Sequence, residues 1–334
     1  GVELFSTLGD AHNLYDFYRR RSGVVKRDNK DLARNMKATA KLYRGLGGSP
    51  LFQPVTTAES MEVPIQWSTP KGGHLLLKLV IKGKSYRTIL DTGNATGWMV
   101  HSRELHDLLK LKRGGRTVAM IGTEAQGLDG YFIFTKVVDF GSFMIQRLLG
   151  LYVPKPYPDF YDANLNPVFI RGRVVTIDTK RMRLILRTRE AFQRDHQKME
   201  KSSTVTLPWF GYKQVFLPTL VSGTFPGMGM IETGAEDIAL KLDVAREAGL
   251  PLIPQQKYLA NGQVYHYFVT SLRVDLGRFR FERARAEVWP FERFYNRLSG
   301  VKADVIFGPS AFGRRFAISF DPFAERIILQ YFKD

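Results

Sequence analysis

Two short segments of the sequence place a carboxylate directly before a threonine and a glycine. The segments are Asp91-Thr92-Gly93 and Glu232-Thr233-Gly234, and each follows two apolar residues. One carboxylate can deprotonate a water molecule, while a second, protonated carboxyl polarises the carbonyl that the water attacks. The threonine hydroxyl can hydrogen-bond a neighbouring loop, and glycine allows close backbone approach. The residue types therefore indicate hydrolysis by a pair of carboxyl groups.

The surroundings of the two segments match as well. Residues 137–141 (VVDFG) correspond to 273–277 (RVDLG), and residues 175–178 (VTID) correspond to 318–321 (ISFD). An arginine-led apolar run follows each of the latter, RLIL at 183–186 and RIIL at 326–329. Asp178 lies 87 residues after Asp91, and Asp321 lies 89 residues after Glu232. Matched elements in one order at near-equal spacing indicate a duplicated unit.

The apolar-apolar-Asp-Thr-Gly pattern resembles the active-site signature of aspartic proteases, of both the retroviral and the pepsin type. The resemblance covers roughly residues 70–331 and is most specific at Asp91-Thr92-Gly93 and Ile306-Phe307-Gly308. It implies a mostly-β, bilobal aspartic-protease fold made of two retropepsin-like halves, with a short helical N-terminal segment. It also implies that Asp91 and Glu232 are the catalytic pair, and that the threonine and glycine of each segment support the loops.

Glu232 departs from this family pattern, which has aspartate at both positions. Its extra methylene displaces the carboxylate by about 1.5 Å unless the loop retreats. Two interpretations therefore stay open. The first is an aspartic-type endopeptidase with an Asp91/Glu232 pair, and the second is a catalytically impaired member that binds extended peptides in its cleft.

Three other positions depart from the pattern. Asn94-Ala95 follow the first segment, where the family usually has Ala or Ser and then Ser or Thr, and Ala235-Glu236 follow the second. In the first half, Arg171 separates Phe169-Ile170 from Gly172, so the apolar-apolar-Gly element expected there is imperfect.

Short alternating apolar runs predict strands over most of the chain after residue 60, and helices are expected only at 103–111, 189–201 and 243–248. Lys82-Gly83 between two runs predicts a hairpin turn. In this family a hairpin flap closes over the substrate. The candidates are 120–129, with Gly122 and Gly127, and 258–265, with Gly262.

We expect three segments in the chain. Residues 1–60 are a basic helical N-terminal segment and linker, 61–200 the first lobe and 201–334 the second. In pepsin-like zymogens a basic pro-segment covers the cleft, which suggests one role for the arm; docking on the outside or binding a partner is the alternative.

Composition narrows the remaining function classes. The absence of cysteine excludes disulfides and thiolate chemistry, and the six histidines show no metal-ligand spacing, so neither a metal nor a cofactor is expected. The formal charge of +17 would suit an anionic partner, but no nucleic-acid motif accompanies it.

We expect a peptide or protein substrate, no nucleic acid and a monomer. Because the sequence begins at Gly1, we expect a trimmed N-terminal segment, such as a leader or anchor, and membrane proximity. The resemblance to tandem members of the family implies an extracytoplasmic (periplasmic or secreted) location; a cytoplasmic one is the alternative.

Overall fold

The structure is a computed structural model. It describes residues 37–38, 40–41, 51–70, 72–94, 96–121, 126–140, 143–155, 161–210, 214–258, 264–289 and 303–333. Of these, the residues within 1–57, 78–88 and 96–171 form one compact unit, called the first unit below. The residues within 58–77, 89–95 and 172–334 form the second unit. The strands β3 and β4 defined below are each divided between the two units.

The predicted fold class, a mostly-β bilobal protein, is confirmed: 56% of the residues are in strands and 14% in helices. The strands are β1 (Gln53–Pro54), β2 (Ser60–Thr69), β3 (Gly72–Ile81), β4 (Lys84–Leu90), β5 (Trp98–Val100), β6 (Lys112–Ile121), β7 (Gln126–Asp139), β8 (Met144–Tyr152), β9 (Ala163–Leu165), β10 (Val174–Asp178), β11 (Arg183–Arg187), β12 (Thr204–Pro208), β13 (Val215–Val221), β14 (Phe225–Ile231), β15 (Ile238–Lys241), β16 (Ile253–Tyr258), β17 (Val264–Leu276), β18 (Phe279–Trp289), β19 (Val305–Phe307), β20 (Phe316–Asp321) and β21 (Arg326–Tyr331).

The described chain also has four named α-helices, α1 (Arg103–Leu108), α2 (Arg189–Gln197), α3 (Leu242–Glu247) and α4 (Pro309–Phe312), and two short 3-10 helices, Pro167–Phe169 and Lys201–Ser203. The first three lie where the sequence predicts helices. Ser102 and Thr188 cap α1 and α2 by accepting hydrogen bonds from the backbone N–H groups three residues later, at 3.3 and 3.2 Å. Residues 37–38 and 40–41 are also helical, and the rest of the predicted basic arm up to residue 50 lies outside the described residues.

Strand order in the first unit is β4-β9-β5-β8-β7-β6, and β1 pairs with β8. The β6–β7 hairpin is the first flap candidate. Its strands pair as far as Ile121 and Gln126, and Gly127 lies opposite Met120 in that ladder. Gly122 lies outside the described residues.

The second unit contains the strand order β12-β21-β20-β10-β11-β2-β3 and a separate seven-stranded sheet, β13-β14-β19-β15-β18-β17-β16. The hairpins β10–β11 and β20–β21 are the two copies of the Asp-then-Arg element in the predicted repeat, and β10 pairs with β20. In the seven-stranded sheet, β14 pairs parallel to β19, which in turn pairs antiparallel to β15. Phe216, Met230, Trp289 and Ile306 belong to the buried core of this sheet.

The predicted turn at 82–83 is present, with φ of 52° at Lys82 and 79° at Gly83. A positive φ at both central residues is what a tight two-residue hairpin turn requires. Ser222 and Gly223 repeat this conformation between β13 and β14, with φ of 54° and 73°.

The apolar-apolar-Gly element expected in the first half at residues 169–172 is not present there. Phe169 ends a short 3-10 helix, Pro167–Phe169, and is not part of an apolar-apolar-Gly strand end. Instead β9 pairs antiparallel with β5, as β19 does with β15, which places Leu165 where Phe307 stands in the second half. Asn166 then occupies the position of Gly308, and its backbone N–H donates to Gly97 at 2.8 Å. The side-chain oxygen of Asn166 accepts from the Val168 N–H at 3.0 Å, so a buried asparagine caps the turn at this position.

Candidate functional site

Both carboxyl segments belong to the second unit. Asp91 directly follows β4, and Glu232 directly follows β14. The Glu232 backbone N–H donates to the carbonyl of Phe307 on the neighbouring β19 at 3.1 Å, which fixes the start of the second loop. A β-carbon at Gly308 would lie 2.6 Å from the carbonyl oxygen of Asp237, so this packing requires glycine. The Ile306-Phe307-Gly308 element thus supports the Glu232 loop.

The threonines bind the two loops together by crossed hydrogen bonds. Each backbone N–H donates to the other threonine's hydroxyl oxygen, Thr92 to Thr233 at 3.1 Å and Thr233 to Thr92 at 3.0 Å. Each hydroxyl in turn donates to a carbonyl of the opposite strand, Thr92 to Ile231 at 2.8 Å and Thr233 to Leu90 at 2.7 Å. Both threonines are fully buried. The four hydrogen bonds hold the two segments in one register.

Each carboxyl group lies against the glycine of the opposite segment. A β-carbon at Gly93 would be 2.6 Å from the carboxyl carbon of Glu232, and one at Gly234 would be 2.4 Å from that of Asp91. Only glycine leaves room for a side chain this close to its α-carbon. The loops also share one internal shape, because Asn94 and Ala235 each donate a backbone N–H to the carbonyl three residues earlier, both at 3.1 Å.

Charged and polar groups stand beside the second loop. His74 Nε2 lies 3.3 Å from Glu236 Oε1, and Arg285 Nη1 lies 3.5 Å from Asp237 Oδ2. Burial lowers the pKa of His74, and the carboxylate of Glu236 offsets part of that effect. Burial therefore favours the neutral form of His74, next to the loop that carries Glu232.

Sequence reasoning missed Gln214. This residue is 2% exposed, and its side-chain amide donates to the carbonyl of Gly93 at 3.0 Å. No motif marks it. The available signal is its place in the repeat, since it stands eight residues before Ser222 as His74 stands eight before Lys82.

The second flap candidate is the β16–β17 hairpin. Its strands pair to the end of the described part, Tyr258 with Val264, and Gly262 lies outside that part. Tyr265 and Tyr267 pack on Trp289, with ring centroids 4.6 and 5.1 Å apart, and on the same core as Ala235. The residue after Gly234 and two tyrosines of this hairpin therefore pack against the same buried core.

The described residues lack two kinds of feature. They contain no group of three or more histidine, aspartate or glutamate side chains arranged to hold a metal ion. Among them there is also no helix with the length and apolar character needed to cross a membrane.

Residues 217–311 match the model of a protein family described as aspartyl protease. The matched segment contains Glu232 and the Ile306–Gly308 element, and it begins well after Asp91. A comparison with curated proteins gives no match.

Solved structures provide further similarities. Conglutin gamma, a basic 7S globulin from lupine seeds, matches with a TM-score of 0.50 at 9% identity, over 82% of this chain and 95% of its own. Basic 7S globulin from soybean matches with a TM-score of 0.47 at 10% identity, over 81% and 94%. A retropepsin-like aspartic protease from Rickettsia conorii matches with a TM-score of 0.30 at 20% identity, over 38% of this chain and 90% of its own. The likeness to conglutin gamma shows a shared fold, and the family match supports a protease-like function.

Proposed function

We propose that the chain is an aspartic-type endopeptidase whose Asp91 and Glu232 carboxyls activate water for attack on a peptide bond. The observation that carries this proposal is the reciprocal contact of each carboxyl with the glycine of the opposite segment. Such an arrangement holds two acids next to one another at the ends of two strands. The crossed threonine hydrogen bonds fix it in place.

The chemistry requires one acid of the pair to be ionised and the other protonated. Two adjacent carboxyls favour this state, because ionising the second next to the first is costly. The ionised acid takes a proton from water as the oxygen attacks the peptide carbonyl carbon, and the protonated acid donates to the carbonyl oxygen. The carbon–nitrogen bond then breaks, and the amine leaves with the proton that the first acid took from water. The second acid takes back a proton from a hydroxyl of the tetrahedral intermediate, so one acid of the pair is again protonated.

Peptide cleavage by an acid pair has a direct test. Wild type is incubated with a mixed peptide library between pH 3 and 7, and the products are identified by mass spectrometry. We expect cleavage that Asp91→Asn abolishes and that pepstatin-like transition-state mimics inhibit. Asp243→Asn is the matched control, since this exposed carboxylate at the start of α3 lies outside the site. Cleavage that survives in Asp91→Asn would exclude the acid pair as its source.

A second candidate function, a peptide-binding module, is favoured by Glu232 itself. The longer acid departs from the Asp/Asp pattern that the resemblance implies. In that case, fluorescence anisotropy would show library peptides bound by wild type and by Asp91→Asn, with no cleavage by either.

A further inference from the structure

Gln214 hydrogen-bonds Gly93, which contacts the side chains of both acids. Its amide holds the Gly93 carbonyl at 3.0 Å, while the Gly93 N–H donates to Asp91 Oδ1 at 3.1 Å. On its other side, the α-carbon of Gly93 faces Glu232, because a β-carbon there would meet Cγ, Cδ and Oε1 of that side chain within 2.7 Å. Displacing Gly93 would therefore change the surroundings of both carboxyls.

The segment that carries Gln214 is itself well anchored. Phe210 and Phe216 exchange two backbone hydrogen bonds, at 2.9 and 3.0 Å, on either side of it. The indole N–H of Trp209 donates to the Gln214 carbonyl at 3.4 Å, and the Trp209 backbone N–H donates to Glu325 at 2.8 Å. Gln214 is thus a buried side chain on a fixed support, as a positioning group needs to be.

The other half of the repeat has a comparable contact. His74, eight residues before its own turn, reaches Glu236 in the loop after the second segment. Each acid segment follows the second strand of a hairpin, β3–β4 or β13–β14. His74 and Gln214 lie near the start of the first strand of these hairpins, and each contacts the loop of the other segment. This reciprocity indicates that the Gln214 contact belongs to the architecture of the site.

We propose that Gln214 is a positioning residue for the acid pair, which fixes Gly93 at the distance from β14 that a glutamate at 232 requires. The inference rests on the proposed function. Glutamate is longer than aspartate by about 1.5 Å, so its carboxyl reaches the opposite loop and that loop must stand back. A displacement of about 1 Å at such a site can cost roughly a hundredfold in rate.

The test compares Gln214→Met, which keeps the side-chain length but has no donor, with Gln193→Met on the exposed face of α2 as the matched control. We expect kcat on a cleaved peptide to fall about 10- to 100-fold in Gln214→Met with little change in KM, and Gln214→Glu, which reverses the polarity, to fall further. The Glu232→Asp background adds the specific readout. There the carboxyl group lies one carbon further back and presses less on Gly93, so Gln214→Met should lower kcat less than it does with Glu232.

Equal losses of kcat in the two backgrounds would overturn the proposal, as would lower thermal stability with unchanged kcat. Carboxyl ¹³C NMR gives a readout that needs no activity. Gln214→Met should change the titration of the Asp91 and Glu232 carboxyls, assigned with Asp91→Asn and Glu232→Gln, and leave that of Asp243 unchanged. Unchanged titration of the pair would overturn the positioning role. An inactive wild type with altered titration would instead overturn the endopeptidase proposal alone.

Discussion

The hydroxyl oxygens of Thr176 and Ser319 lie 2.8 Å apart at the centre of the β10–β20 pairing. In the predicted repeat these two residues are equivalent, and their neighbours pair crosswise, Val175 with Phe320 and Ile177 with Ile318. This register is the one that a local two-fold axis between Thr176 and Ser319 produces. In the repeat Val175 is equivalent to Ile318 and Ile177 to Phe320, so the axis turns the first of these two pairs into the second. The pairing supports the proposal that the two hairpins are copies of one unit.

The crossed threonine bonds should contribute strongly to stability. Thr92→Val removes the donor to Ile231 and the acceptor for the Thr233 N–H, leaving two buried backbone groups without these bonds. We expect the free energy of unfolding to fall by about 2–4 kcal/mol, measured by urea denaturation. Thr92→Ser keeps the hydroxyl and is the control. A Val variant no less stable than the Ser variant would contradict the role of these bonds.

The glycine contacts predict a pair-specific rescue. Gly93→Ala places a methyl group against the Glu232 carboxyl and should reduce kcat/KM by at least about a hundredfold. Adding Glu232→Asp shortens that acid and should recover part of the loss. The same substitution should give no recovery in Gly234→Ala, whose β-carbon meets Asp91 instead. Recovery in both backgrounds, or in neither, would show that the contacts differ from those described.

Glu232→Asp alone tests whether the site is adapted to glutamate. Because Glu232 contacts Gly93 from Cγ to the carboxyl group, an aspartate would move its carboxyl group about 1.5 Å back from the position that the glutamate carboxyl occupies. We expect kcat to fall about 10- to 100-fold, measured with the peptide that wild type cleaves best. A faster Asp variant would mean that glutamate is a compromise at this position.

Acid should destabilise the first unit through His101. Burial lowers the pKa of this histidine to about 4, while Nδ1 donates to the Val153 carbonyl at 2.9 Å. The unfolded chain takes up the proton near pH 6.5 and the folded chain only near pH 4, so stability falls as the pH drops through that interval. The total loss is about 3 kcal/mol.

The check is urea denaturation from pH 7 to 4 on wild type and His101→Gln, whose amide can still donate to Val153. The loss of stability between pH 6.5 and 4 should be much smaller in the variant. An identical pH dependence would assign the acid sensitivity to other groups.

Much of the fold follows from local sequence patterns. Short stretches of the sequence predict the alternating strands, the Lys82-Gly83 turn and three helices, and the structure contains them. Asn166 shows the limit of such reasoning. Its place depends on the pairing of β9 with β5, and the preceding residues Asn164 and Leu165 lack the apolar-apolar-Gly pattern that marks the equivalent element in the second half.

The candidate site also contains residues that the local sequence predicts and one residue that it does not. The Asp91 and Glu232 segments are recognisable because the chemistry fixes their residue types at adjacent positions. Gln214 has no local signal, since its contact with Gly93 joins residues 121 apart in the chain. The roles of the flap candidates and the basic arm, the three segment boundaries, the monomeric state and the extracytoplasmic location stay predictions.

The division of the chain into two compact units has a consequence for local unfolding. Residues 89–95 belong to the second unit although the chain on both sides belongs to the first, so both acids lie in one compact unit. Opening of the first unit can therefore leave the acid pair assembled. In native-state hydrogen exchange, the amides of Thr92 and Thr233 should exchange together and with the core of the seven-stranded sheet, and those of β7 and β8 independently.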